Sequence, residues 1–160
     1  MYLETRKLSR LRLVQGLIFL LTFLQMASKS ITILAADDDL EDLELIEDAF
    51  LRLDQAISLY KVTNGRAAID YLNNLPDSDL PCLIILDYNM PELKGSEVLA
   101  KIGKEKRYAE IPKLMLSTSS APLHIHECMS NGATHYYVKP ASMRELEAIA
   151  KKMLEFCKLN

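Results

Sequence analysis

The chain is 160 residues long, enough for one domain with a proper core. Apolar residues make up 49% and charged residues 26%, the balance of an ordinary globular protein. A net charge of −3, from 19 basic and 22 acidic residues, argues against a nucleic-acid partner.

The charge is unevenly spread. Residues 1–25 hold Arg6, Lys7, Arg10 and Arg12 against Glu4, a balance of +3, which leaves −6 for the remainder. That basic stretch runs into an apolar segment, Leu13 to Leu24, shorter than the roughly 20 residues needed to span a bilayer. Three readings stand. The preferred one takes Met26 as the true start and residues 1–25 as an over-extended reading frame. The second makes the segment an interfacial helix or membrane anchor, so that a membrane matters only if residues 1–25 are native. The third, ranked last, makes it a secretion signal, although no small-x-small cleavage pattern follows. Cys82, Cys128 and Cys157 are odd in number and show no CxxC spacing, so buried or incidental thiols in a reducing cytosol are expected, not a disulfide or zinc site.

From Ile31 onward, short apolar runs alternate with helical periods. Ile31 to Ala36 reads as a strand. Leu40, Leu43, Ile46, Phe50 and Leu53 repeat at helical spacing, giving a helix with one apolar stripe. Ile57 to Thr63 alternates like a half-exposed edge strand. Asn64-Gly65 marks a turn, and Ala68, Leu72 and Leu75 define a second helix that stops at Pro76. Cys82 to Leu86 is apolar on both faces, which predicts a central strand covered twice. A helix follows Gly95 with Val98, Leu99 and Ile102 inward, and Pro112 opens the strand Lys113 to Ser117. Residues 122–131 form a short helix ending at Gly132. His135 to Val138 is the fifth strand. Ser142-Met143-Arg144-Glu145 is a capping box that starts the last helix, with Met143, Leu146, Ile149, Met153 and Cys157 as its buried stripe. Five strands alternating with five helices predict an α/β domain over residues 26–160, a parallel sheet covered on both faces.

In such a sheet, ligands bind outside the carboxyl ends of the strands, where strand order reverses. The first strand ends in Asp37-Asp38-Asp39, the third in Asp87, the fourth in Ser117 and the fifth in Lys139-Pro140. Neighbouring strands lie about 4.8 Å apart, so these residues can share one small site. Carboxylates that close repel one another and need a compensating cation. Oxygen ligands with water available suit Mg2+, which Mn2+ can replace. Lys139 adds a positive charge on the opposite side and Ser117 a hydroxyl. One economical use of this set is a carboxylate, Asp87, that attacks phosphorus and becomes an acyl phosphate.

Asp37-Asp38, Asp87-Tyr88-Asn89-Met90-Pro91 with Gly95, Ser117, and Tyr136-Tyr137-Val138-Lys139-Pro140 together resemble the receiver domain of two-component response regulators. The resemblance spans residues 30–157 and extends to the single-domain regulators paired with phytochrome-type kinases. It implies a flavodoxin-like (βα)5 fold of strand order 2-1-3-4-5. It also implies Asp87 as phosphoacceptor, Asp38 as direct Mg2+ ligand, Asp37 acting through a metal-bound water, and Asn89 through its main-chain carbonyl. Lys139 would contact the phosphoryl group, with a cis bond to Pro140. Ser117 would be the switch hydroxyl and Tyr136 the aromatic that follows it inward. Residues 122–157 would be the output face. The implied donor is a sensor histidine kinase or a histidine phosphotransfer protein, the implied location is the cytoplasm, and homodimer formation stays open. Thr118 is bulkier than the alanine or glycine often found there, which bears on access to the phosphoryl site.

Each residue also has a plainer role. The aspartates after the first strand suit a helix start, Asp39 above all as the N-cap. Tyr136 suits a packed strand aromatic, and His124, His126 and His135 suit the surface, since i, i+2 spacing separates the first two on a helix. Three functions compete: a phosphorylation-driven switch with no enzyme activity beyond its own phosphoryl transfer and hydrolysis, an aspartate-nucleophile phosphatase, and a phosphate-independent binding module. The phosphatase pattern Asp-x-Asp-x-Thr is missing, because Leu40-Glu41 follows Asp39. The binding module is expected to lose the acceptor or the lysine, and both are present.

Overall fold

The structure is a computed structural model that describes residues 31–157. The readings given for residues 1–25 therefore lie outside the described residues. Five strands and five helices alternate: β1 Ile31–Ala36, α1 Leu40–Leu53, β2 Ile57–Val62, α2 Gly65–Asn74, β3 Leu83–Leu86, α3 Gly95–Ile102, β4 Lys113–Ser117, α4 Pro122–Ser130, β5 His135–Val138 and α5 Met143–Cys157. Short 3-10 turns at Asp77–Asp79 and Lys106–Tyr108 lead into β3 and β4. All strand pairs are parallel, and the order is β2-β1-β3-β4-β5. This is the flavodoxin-like receiver fold.

Strand period divides the core in two. In β1, Ile33 and Ala35 face α1 and α5, where Leu43, Ile46, Phe50, Leu146 and Met153 meet them. Leu34 and Ala36 face the other way, onto Ala68, Leu72, Val98 and Leu99 of α2 and α3. Every residue of β3 and β4 is buried, which explains why β3 reads as an unbroken apolar run. Each fully buried Leu, Ile or Phe contributes about 1.5–3 kcal/mol, so the two layers carry most of the folding energy.

Lys113 is the one cation inside this layer among the described residues, only 6% exposed. Its ammonium donates to the carbonyls of Tyr108 and Ile111 and so fastens the turn before β4. Asp39 caps α1 by accepting from the Glu41 amide, as expected. Ser142 Oγ accepts from the Glu145 amide at the start of α5. Gly132, just past α4, has φ of 97°, a backbone that other residues adopt only at a cost.

Three expectations need correction. Leu40 and Leu53 are 64% and 38% exposed, because the buried stripe of α1 runs through Leu43, Ile46, Ala49 and Phe50. Cys82 and Cys157 form a disulfide with Cα atoms 5.3 Å apart, leaving Cys128 as the free, buried thiol. The partners are 75 residues apart and meet only through the packing of α5 under the sheet, which spacing does not reveal. Finally, the described residues contain no cis peptide bond, so the Lys139–Pro140 bond is trans. Lys139 reaches its carboxylate partners from the trans form, which is also the lower in energy for X–Pro bonds.

Candidate functional site

The strand order reverses between β1 and β3, and the acidic residues lie at the carboxyl ends of these two neighbours. Pairing of Ala36 with Leu86 brings Asp37 and Asp87 side by side. The Asp87 amide donates to Ala36 O at 2.9 Å, and the Asp37 amide to Val62 O at 3.1 Å, so both residues are still held by the sheet. Gly95, at the start of α3, donates its amide to Tyr88 O at 3.0 Å. A side chain there would collide with the Asp87 carbonyl, so only glycine lets α3 come this close.

One carboxylate oxygen from each of Asp37, Asp38 and Asp87 falls within 4.8 Å of the others. Asp37 and Asp87 are buried and Asp38 is exposed. Burial pushes the Asp37 carboxyl up to about 6, against the opposing pull of Lys139 and the Asp39 amide. Lys139 Nζ stands 2.6 Å from Asp37 Oδ2, 2.6 Å from Asp42 Oδ2 and 3.8 Å from Asp87 Oδ1. Burial alone would lower its ammonium, but the bonds to Asp37 and Asp42 outweigh that and raise it. Asp87 Oδ2 accepts from the Asn89 amide at 2.9 Å, while Oδ1 is buried with no hydrogen-bond partner. A desolvated carboxylate oxygen beside two other carboxylates fits a hard divalent cation, which takes oxygen ligands and keeps several waters.

Asp42 was not singled out from the sequence. It lies on the first turn of α1, and helical phase alone brings it over the pocket, so a single acidic residue in an acidic helix start gave no signal.

On the other side, Ser117 ends β4 fully buried. Its Oγ accepts from the Ser119 amide at 3.4 Å. Tyr136 on β5 is half-buried and donates its hydroxyl to Ser119 O at 2.8 Å. Tyr88, the residue after Asp87, stacks on His124 with ring centroids 4.1 Å apart and donates to Glu127 Oε2 at 2.7 Å. His124 Nδ1 lies 2.7 Å from Ser119 Oγ. His124 is half-buried by these contacts, whereas His126 and His135 are exposed. Ser119 joins both aromatic contacts to the loop after β4. Among the described residues no helix is long and apolar enough to cross a membrane.

The family model of the response regulator receiver domain matches residues 33–151. The chain belongs to this family, whose members serve two-component phosphorelay signalling and interact with histidine kinases and downstream effectors. It is 31% identical over 142 residues to the two-component response regulator ARR17 of Arabidopsis thaliana, covering 82% of this chain and 90% of that protein. It is 31% identical over 126 residues to the probable methanogenesis regulatory protein FilR2 of Methanothrix harundinacea, covering 78% and 81%. Among solved structures, it resembles the phosphorylated cyanobacterial phytochrome response regulator RcpA, with a TM-score of 0.72 and 30% identity over 79% of this chain and 93% of that one. The Mn2+-bound form of response regulator Rcp1 matches with a TM-score of 0.67 and 26% identity, covering 78% and 92%.

Proposed function

We propose that this receiver domain takes a phosphoryl group on Asp87 from a sensor histidine kinase or a histidine phosphotransfer protein, and signals through a conformational switch to a partner protein. The observation that carries this reading is Asp87 Oδ1, buried without a hydrogen bond at the mouth of the acidic cluster and 3.8 Å from the Lys139 ammonium.

Oδ1 attacks phosphorus in line as the phosphorus–nitrogen bond of the donor histidine breaks, and the imidazole nitrogen keeps the electron pair and takes a proton. The Asn89 amide holds the other oxygen, so the attacking atom is oriented before the donor arrives. Lys139 leaves Asp42 and pairs with a phosphoryl oxygen. Asp37, Asp38, Asp87 and the Asn89 carbonyl are the residues that would hold Mg2+, and the acidic cluster together with the Mn2+-bound relative supports a divalent site. The cation, when bound, supplies charge neutralisation at the phosphoryl oxygens.

Ser117 donates its hydroxyl to a phosphoryl oxygen only when the group is present. That differential bond draws in the loop carrying Ser119, and with it the hydroxyl contact of Tyr136. Residues 122–157 then present a changed face to the partner. No activity toward other substrates is needed, and the domain's chemistry is its own phosphorylation and dephosphorylation in the cytoplasm. The phosphorylated RcpA relative supports the same chemistry.

The test is transfer from a phosphorylated histidine phosphotransfer protein, followed by hydroxylamine treatment. A label that moves to this chain and is released by hydroxylamine, as an acyl phosphate is, supports the proposal. A label stable to hydroxylamine, or no transfer from any histidine donor, contradicts it.

A further inference from the structure

Cys82 immediately precedes β3 and Asp87 immediately follows it, so the bridge to Cys157 and the proposed phosphoacceptor sit at opposite ends of one strand. Cys157 is the last residue of α5. The Cα separation of 5.3 Å lets a disulfide close or open without moving the backbone. Both cysteines are half-buried, and both line a surface cavity of about 360 Å3 with Ile31, Leu53, Ile57 and Leu154. A thiol reagent can therefore approach the pair from this cavity. Lys151, Asp54 and Glu155 also line it, so both signs of charge border the pair. Cys128 contrasts in every respect: it is 0% exposed, and burial pushes its thiol up to about 11.

The grip of α5 on the sheet weakens toward this end. Leu146, Ala150 and Met153 are buried, but Leu154, Phe156 and Cys157 are only half-buried and Glu155 is exposed. Leu154 and Phe156 still pack against the core there, and the covalent bond adds to that hold on the final turn.

We infer that Cys82 and Cys157 form a reversible redox clasp, which locks the end of α5 to the base of the sheet when oxidised and frees it when reduced. Closure is thiol–disulfide exchange with a low-molecular-weight disulfide. One protein thiolate attacks a sulfur of RSSR, forming a mixed disulfide and expelling RS−, which takes a proton. The second protein thiolate attacks the mixed disulfide at the protein sulfur, and the second RS− leaves and is protonated. Two protein thiols are oxidised as one RSSR is reduced to two RSH. Because α5 lies within residues 122–157, the clasp sets the mobility of part of the output face. That consequence rests on the reading proposed above, while the redox chemistry does not.

The full chain, unphosphorylated, is equilibrated in buffers of varied reduced-to-oxidised glutathione ratio, alkylated and mapped by mass spectrometry. The expected result is a Cys82–Cys157 cross-linked peptide that appears and disappears reversibly, with Cys128 free throughout. The reduced protein is expected to melt about 10 °C lower, as a closed loop of this length implies. Hydrogen exchange at residues 154–157 should be faster in the reduced protein, with β3 unchanged. Three free thiols at every ratio, a bridge that stays closed in the folded protein under excess reductant, or equal exchange in both states overturns the inference. Cys82→Ser should match the reduced wild type even in oxidising buffer, and slowed exchange in that variant on oxidation also overturns it. Failure here leaves phosphorylation of Asp87 unaffected, so the two readings fall separately.

Discussion

Asp42, together with Asp37, holds Lys139 away from Asp87. Asp42 Oδ2 lies 2.6 Å from the lysine ammonium across 97 residues of sequence, while Asp87 Oδ1 stands 3.8 Å off. A phosphoryl group on Asp87 competes with Asp42 for that charge. Asp42→Ala is therefore expected to raise the steady-state phosphorylated fraction at limiting acetyl phosphate about two- to five-fold, the worth of one partly exposed ion pair of roughly 0.5–1 kcal/mol. Quantitative intact-mass measurement checks this. An unchanged or smaller fraction shows that Asp42 does not restrain the lysine.

Lys139 has a second role, in transmission. It sits directly after β5 and its amide donates to Ser117 O at 2.8 Å, so the lysine and the switch hydroxyl are tied through the backbone. Lys139→Ala is expected to keep some phosphorylation but to lose the change in hydrogen exchange over residues 122–157. A full exchange response in the phosphorylated variant would sink that assignment.

The buried Asp37 carboxyl gives the metal-free protein a pH-dependent weakness. Its pKa is raised from 3.8 to about 6, with burial as the main cause. A raised folded-state pKa contributes stability that is fully present below 3.8 and is lost as the pH climbs through about 6. Asp37→Asn removes that loss. With a chelator present, urea unfolding should show the variant more stable than wild type by on the order of 1–2 kcal/mol at pH 7.5, with the gap closing by pH 4. A gap independent of pH contradicts the assignment of the loss to Asp37.

Gly95→Ala tests the close approach of α3 to the phosphoacceptor strand. The added methyl meets the Asp87 carbonyl and the Met115 methyl. Backbone has to shift, at a cost of about 1–3 kcal/mol. Thermal unfolding should fall by several degrees, and acetyl phosphate labelling should slow because Asp87 moves with its carbonyl. A variant with unchanged melting and unchanged labelling shows that the contact relaxes freely.

Much of the site was legible because it lies at strand ends. The apolar run before Asp87 announces a central strand, and a central strand in a parallel sheet delivers the residue after it to the crevice. The same holds for Asp37 after β1, Ser117 at the end of β4 and Lys139 after β5. What was hidden depends on side-chain direction or on distant packing. Asp42 joins the pocket through helix phase. His124 is half-buried because Tyr88 offers it a ring to stack on. Cys82 and Cys157 meet because α5 returns beneath the strand that Cys82 begins. The cis form of the Lys139–Pro140 bond came from resemblance alone, and the bond is trans.

The most direct test of the central claim is intact-mass spectrometry after incubation with acetyl phosphate, with and without Mg2+, on wild type and Asp87→Asn. The expected result is a Mg2+-dependent gain of one phosphoryl group in wild type and none in the variant. A gain that survives in Asp87→Asn, or no gain in wild type under any condition, contradicts phosphorylation at Asp87.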